Sequence, residues 1–295
     1  MYKKLIFLLL VFILLFTACQ SAPPKTDAPS EPVSEPVSSP ALDYAAMLAT
    51  ENTIDEPWVT EGLFVPPVAE GESTTLKTTY LLCEGTPMQT EVVVLTAAEP
   101  GETLYLIAGI HGDEVASFSA ADRMKDMELK SGTLCILSPA NAAGAASKSR
   151  HVAPEQDGNR TFPGDPEGNE AEQLAYAIFE DVKRVNPAFV FDLHEAIVVA
   201  QNRDFLGSSL IYTDLAGMET MFLDLYMATQ TRELCSMPFN YHGPSPAGSI
   251  NSTITKELGI PTITVETYRA FVLERRIEDQ MALVGYVLRY YGLVD

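Results

Sequence analysis

Basic residues are scarce in this 295-residue sequence: 19 Lys and Arg stand against 40 Asp and Glu, a formal net charge of -21. A surface that acidic repels nucleic acid and anionic lipid headgroups, which argues against both as direct partners. Cysteine is scarce as well, with four residues and no C-x-x-C spacing, so a thiolate metal site or dithiol redox motif has no basis. There is no G-x-S-x-G elbow, no G-x-G-x-x-G turn and no P-loop, which removes serine-hydrolase, dinucleotide and nucleotide chemistry. No apolar run reaches the roughly 20 residues of a membrane-spanning helix.

The longest apolar run, Leu5 to Phe16, has 12 residues, follows Lys3 and Lys4, and leads into "TAC". A basic start, a short apolar stretch and small residues are the marks of a secretory signal. "LFTAC" also resembles a bacterial lipobox, which makes residues 1–18 the signal peptide and Cys19 the lipid-modified mature N-terminus. An ordinary signal with an incidental cysteine is the alternative. Residues 20 to 40, "QSAPPKTDAPSEPVSEPVSSP", offer almost nothing to bury and read as an extended tether, so 19–42 is expected to link a lipid anchor to a globular domain over 43–295. The expected location is extracytoplasmic, on a bacterial membrane. Cys83, Cys135 and Cys235 remain; "YLLCE" and "TLCILS" read as buried strand positions, where cysteine serves as a small hydrophobe.

From about Leu42 the texture is globular. "ALDYAAMLA" suggests a short helix, and "TTLKTTYLLC" with "QTEVVVLTA" a hairpin across "EGTPM". "TLYLIAGI", "GTLCILSP", "AFVFDLH", "GSSLIYT" and "TITVE" read as strands. "EVASFSAADRMKDM", "NEAEQLAYAIFEDVKRV", "GMETMFLDLYMATQTREL", "SINSTITKEL" and "LERRIEDQMALVGYVLRYY" have helical spacing. Alternation of strand and helix argues for an α/β domain with a largely parallel central sheet. Residues 140 to 169 form an irregular polar loop, which at that length inside a compact domain is usually functional.

Three strands in this reading end on a polar residue: His111 after "LIAGI", His194 after "VFDL" and Glu266 after "TITV". Ligand sites of open α/β sheets lie beyond the carboxyl ends of the strands, so the three are expected at one sheet edge. Taken with Glu114, in the first turn after His111, two imidazoles and a carboxylate make the ligand set of a catalytic zinc with one position left open. Each piece alone has a plainer reading: Glu114 as a favourable charge at a helix N-terminus, His194 as a satisfied core histidine, Glu266 as a solvated strand end.

At these residues the sequence resembles the zinc carboxypeptidase superfamily, which holds carboxypeptidase A-like peptidases and the succinylglutamate desuccinylase/aspartoacylase branch. "GIHGDE" is similar to its first metal motif, "DLH" to its second, "DGNRTFPG" to its Asn-Arg substrate motif and "GIPTITVE" to its catalytic-glutamate strand. All four stand in family order over residues 75 to 290. The resemblance implies a three-layer α/β/α sandwich around a mixed, largely parallel sheet, with one Zn2+ per chain on His111, Glu114 and His194. It further implies that Asp157 holds the far nitrogen of His111, that Asn159 and Arg160 grip a substrate carboxylate, and that Arg150 stabilises the oxyanion. Glu266 would be the general base, while Tyr241 and Ile250 resemble the peptidases' mobile tyrosine and specificity-pocket residue. "NRTFPG" and "GIPTITVE" read closer to the desuccinylase/aspartoacylase branch. The 29 residues after Glu266 are more like a single-domain peptidase, so both branches stay open. The expected activity is zinc-dependent hydrolysis of an amide next to a free carboxylate, by an N-acyl amino acid deacylase or a carboxypeptidase. The rival from another class is a lipid-anchored binding protein on the same fold with an inactive site.

Overall fold

The hairpin at the start of the domain shows how the chain commits to a sheet. Leu76–Leu82 (β1) and Thr90–Thr96 (β2) pair antiparallel from Leu76↔Thr96 to Leu82↔Thr90. The turn between them is closed by Thr86 N–H donating to the Cys83 carbonyl at 3.1 Å. Cys83 therefore lies in the turn, half-buried, rather than in the strand, whereas Cys135 is buried in a strand as expected. The computed structural model describes residues 51–55, 64–152, 156–197, 206–214, 217–231 and 234–295. The signal, the tether, Cys19 and the helix expected over "ALDYAAMLA" lie outside them.

β2 pairs antiparallel with Thr133–Leu137 (β4), and β4 runs parallel to Thr103–Ala108 (β3). Parallel pairing continues through Phe189–Ala196 (β5) to Thr262–Tyr268 (β8). Ser209–Tyr212 (β6) then joins β8 antiparallel, and Asn240–His242 (β7) closes the sheet parallel to β6. Among the described residues the order is β1-β2-β4-β3-β5-β8-β6-β7, one mixed sheet with a parallel centre. β7 was not anticipated; three residues flanked by "PF" and "GPSP" leave no alternation to read.

The parallel strands are apolar on both faces because both are covered. Leu104, Leu106, Phe191 and Leu193 point to one face, where Val115–Arg123 (α1), Glu219–Gln230 (α4) and Leu273–Tyr290 (α6) pack. Tyr105, Ile107 and Val190 point to the other, beneath Glu170–Val185 (α3) and Ile250–Thr253 (α5). α3 begins with a reciprocal cap: Asn169 accepts from the Glu172 N–H while Glu172 accepts from the Asn169 N–H, which satisfies two donors left open at a helix start. Its buried stripe, Leu174, Ala175, Ile178 and Val182, has the three-four spacing of one helix face. The helix expected over 249–258 is shorter, one α turn running into a wider π turn over Ile254–Leu258. Ala142–Ser147 forms α2, inside the stretch expected to be irregular.

Three expected strand ends differ. β3 stops at Ala108 because Gly109 takes φ +74°, and a Cβ there would meet Phe118 and Pro139 at 3.1 Å. β5 and β8 instead run two residues past His194 and Glu266, pairing Ala196 with Tyr268. The two functional candidates are thereby held by sheet hydrogen bonds on both sides.

Candidate metal centre and cavity

From Gly109 the chain crosses the top of the sheet to α1, carrying His111, Gly112, Asp113 and Glu114. Gly112 is required for that crossing, since a Cβ would fall 2.1 Å from the Gly144 carbonyl carbon of α2. Glu114 does not cap α1. Its carboxylate turns inward, with Oε1 at 2.8 Å from His111 Nδ1 and Oε2 at 2.9 Å from His194 Nδ1. Glu195 takes over at the helix start, its Oε2 accepting from the Ala116 N–H at 2.9 Å. The plain reading of Glu114 as a helix-end charge therefore fails, because another carboxylate fills that place.

His111, Glu114 and His194 are all buried, and among the described residues they form a group whose donor atoms lie within 4.8 Å of one another. The two Nδ1 atoms are 3.2 Å apart. Donors around a tetrahedral zinc at about 2.0–2.1 Å stand roughly 3.3 Å apart, so the spacing suits such an ion. The far nitrogens suit it too: His111 Nε2 is 2.9 Å from Asp157 Oδ1, and His194 Nε2 is 2.8 Å from Asp192 Oδ1. A carboxylate behind each ring orients the opposite nitrogen toward a metal.

The electrostatics agree. Burial opposes charge on His194, but Asp192 and Glu114 outweigh it and hold its pKa well above 6.5; His111 is raised in the same way, mainly by Glu114. Burial would raise Glu114, yet the two imidazoles hold it well below the carboxylate range. A cluster that stores two ring protons against buried carboxylates can exchange them for a dication.

Glu266 lies opposite His194 in register, as Thr264 lies opposite Asp192. The four side chains form a two-by-two block on the α3/α5 face. Burial raises the Glu266 carboxyl to about 7. It opens onto a cavity of about 720 Å³ whose lining includes Asn159, Arg160, Tyr212, Tyr241 and Pro244. Asn159 is fixed by the Ile250 N–H donating to its Oδ1 at 2.8 Å. Its Nδ2 is 3.1 Å from His194 Nε2, but Asp192 Oδ1 lies nearer that nitrogen, at 2.8 Å. The Asn159 amide hydrogens thus stay available to a ligand.

Arg150 is placed on Glu114 instead, with Nη1 2.8 Å from Oε1, and it does not line the cavity. Ile250 is fully buried among Ile254 and Phe162, so it reaches the site through its backbone N–H alone. Tyr241 is exposed on β7 against the Tyr226 ring. The sequence reading missed Asp192, Thr264 and Glu195. For Asp192 a signal existed: an acid two residues before a histidine in an apolar strand shares its face.

Residues 100–290 match the family model of the succinylglutamate desuccinylase/aspartoacylase catalytic domain. Among solved structures, the fold is similar to an aspartoacylase family protein from Mesorhizobium loti, at 19% identity and TM-score 0.57 over 79% of this chain and 72% of that one. It is also similar to a succinylglutamate desuccinylase from Silicibacter sp. TM1040, at 15% identity and TM-score 0.58 over 80% and 73%. A metallo-carboxypeptidase from Burkholderia cenocepacia follows at 15% identity and TM-score 0.53 over 72% and 64%. No curated protein sequence matches significantly.

Proposed function

The chain belongs to the succinylglutamate desuccinylase/aspartoacylase family, and on that footing we propose that it is a zinc-dependent hydrolase cleaving an amide next to a free carboxylate. The observation that carries this reading is the block on β5 and β8: a three-donor cluster with Glu266 beside it, opening onto a cavity that holds Arg160. A zinc ion held by His111, Glu114 and His194 would supply Lewis acidity toward the scissile carbonyl and acidify an attacking water. Glu266 takes the proton from that water and delivers it to the leaving amine, a role suited to a buried carboxyl with a pKa near neutrality. Arg160 and the Asn159 amide hold the substrate carboxylate, which sets the distance from the anchor to the bond that breaks. Arg150 fixes Glu114 by an ion pair and keeps a guanidinium beside the cluster.

The substrate class is an N-acyl amino acid or a short peptide with a free carboxylate. The complete donor set with Glu266 counts against an inactive binding protein, which has no need of a general base. Zinc stoichiometry of the wild type and of His194→Ala, with hydrolysis of N-acyl amino acids and short peptides by the wild type and by Glu266→Gln, tests the reading. Full zinc occupancy in His194→Ala would sink the ligand set, and equal turnover by Glu266→Gln would sink the mechanism.

For location, the proposal is lipid attachment at Cys19 on the outer side of a bacterial membrane, resting on "LFTAC" and the Pro/Ser-rich stretch after it. Mass spectrometry of the mature N-terminus checks it. An unmodified start elsewhere would refute it.

A further inference from the structure

Asp192 is 1% exposed and sits two residues before His194 on the same strand face. Its hydrogen-bond pattern can be read from its neighbours. Asn251 Nδ2 donates to the carbonyls of Ile211 and Thr262, at 2.9 and 3.1 Å, which settles which end of that amide is nitrogen. The same nitrogen is 3.2 Å from Thr264 Oγ1 and, as an amide NH2, cannot accept, so the hydroxyl proton points elsewhere. That proton goes to Asp192 Oδ2, at 2.9 Å. Asp192 thus accepts at Oδ2, and its Oδ1 is 2.8 Å from His194 Nε2. Held by that contact, the ring turns Nδ1 toward Glu114 Oε2 and His111 Nδ1, at 2.9 and 3.2 Å.

We propose that Asp192, held by Thr264, is the positioning residue that fixes the His194 ring through Nε2, so that Nδ1 is the nitrogen presented to the metal. The inference rests on the metal reading above and adds a residue to it. Asp157 does the equivalent for His111 from a site that is 28% exposed, whereas the Asp192 arm is wholly inside the protein. Replacing such an outer carboxylate typically weakens metal binding by about 10–100-fold.

The test is zinc affinity by competition with a chromophoric chelator for the wild type, Asp192→Asn, Thr264→Val and His194→Ala, with long-range proton–nitrogen-15 spectra of the zinc-loaded wild type. Expected are an Asp192→Asn loss of about 10–100-fold, a smaller loss in Thr264→Val, and a spectrum with His194 protonated at Nε2 and coordinated through Nδ1. Coordination through Nε2 would overturn the proposal, as would an Asp192→Asn protein with wild-type affinity. Should Asp192→Asn not fold, an unchanged affinity in Thr264→Val overturns it equally. His194→Ala separates the two levels: lost zinc there with no effect at Asp192 leaves the ligand set intact and removes only the positioning role.

Discussion

His194 and Glu266 face each other in register across the parallel pair β5–β8, so a metal-ligand candidate and the proposed general base are neighbours fixed by backbone hydrogen bonds. Neither depends on a loop for its position. The consequence is separability: Glu266→Gln should keep stoichiometric zinc while turnover falls by about 10²–10⁴-fold, the usual share of a general base. Metal analysis beside single-substrate kinetics checks this.

The pH profile follows from the same carboxyl. Burial holds it at about 7 without a metal, against an ordinary 4.5, and a cation close by favours the ionised form. A base is lost on protonation, so kcat/KM should fall as pH drops, with the acid limb centred between those two values. The residual activity of Glu266→Gln should lack that limb; a limb of unchanged midpoint in the variant would assign it to another group.

Arg160 is solvent-exposed, donates from Nη1 to the Asn159 carbonyl at 2.6 Å, and lines the cavity. A charged hydrogen bond contributes about 1.5–3 kcal/mol when sheltered, and solvent screening here pulls the value to the lower end. Arg160→Ala should cost about tenfold in kcat/KM. A substrate with its carboxylate amidated should cost the wild type the same, and the two changes together little more. Equal wild-type rates on carboxylate and amide substrates would show that Arg160 does not hold the anchor.

On the opposite face of the sheet, Arg276 pairs with Glu195 and also reaches Asn52 at 2.9 Å, while Arg269 bridges Asp113 and Glu51 at 2.9 and 3.1 Å. Glu51 is 26% exposed and Glu195 is wholly buried. Removing a partner from a buried pair costs about 3–5 kcal/mol, here as protonation of Glu195, whose carboxyl burial already raises to about 7. Arg276→Met should therefore destabilise by about that much, and Glu51→Ala by less, because Asp113 and Glu195 still pair the two arginines. Urea denaturation of both variants measures it. The reverse order would mean that Glu195 is neutral in the folded protein.

The strand and helix order was legible because burial on both faces leaves long apolar runs and amphipathic helices leave a three-four spacing. His111, Glu114 and His194 were legible because strand ends in such sheets gather at one edge. Their supports were not. Arg276 reads as one more charge in "LERRIEDQ" until Glu195 and Asn52 arrive from distant chain. Arg150 reads as a group for the substrate with no hint of its ion pair to Glu114, and Ile250 reads as a wall until α5 turns its side chain into the core. Both arginines find their partners more than 30 residues away, beyond any local pattern.

The two-by-two block of Asp192, His194, Thr264 and Glu266 also bears on how this protein can change over generations. Strands alternate faces with a period of two, so inserting or deleting one residue within β5 or β8 would turn half the block to the opposite face. Gene-level length changes are thus barred from these strands and confined to the connections, such as residues 243–249 between β7 and α5, which line the cavity through Pro244, Ser245 and Pro246. New substrates would be reached by rewriting that connection, while the chemistry passes on as an indivisible block.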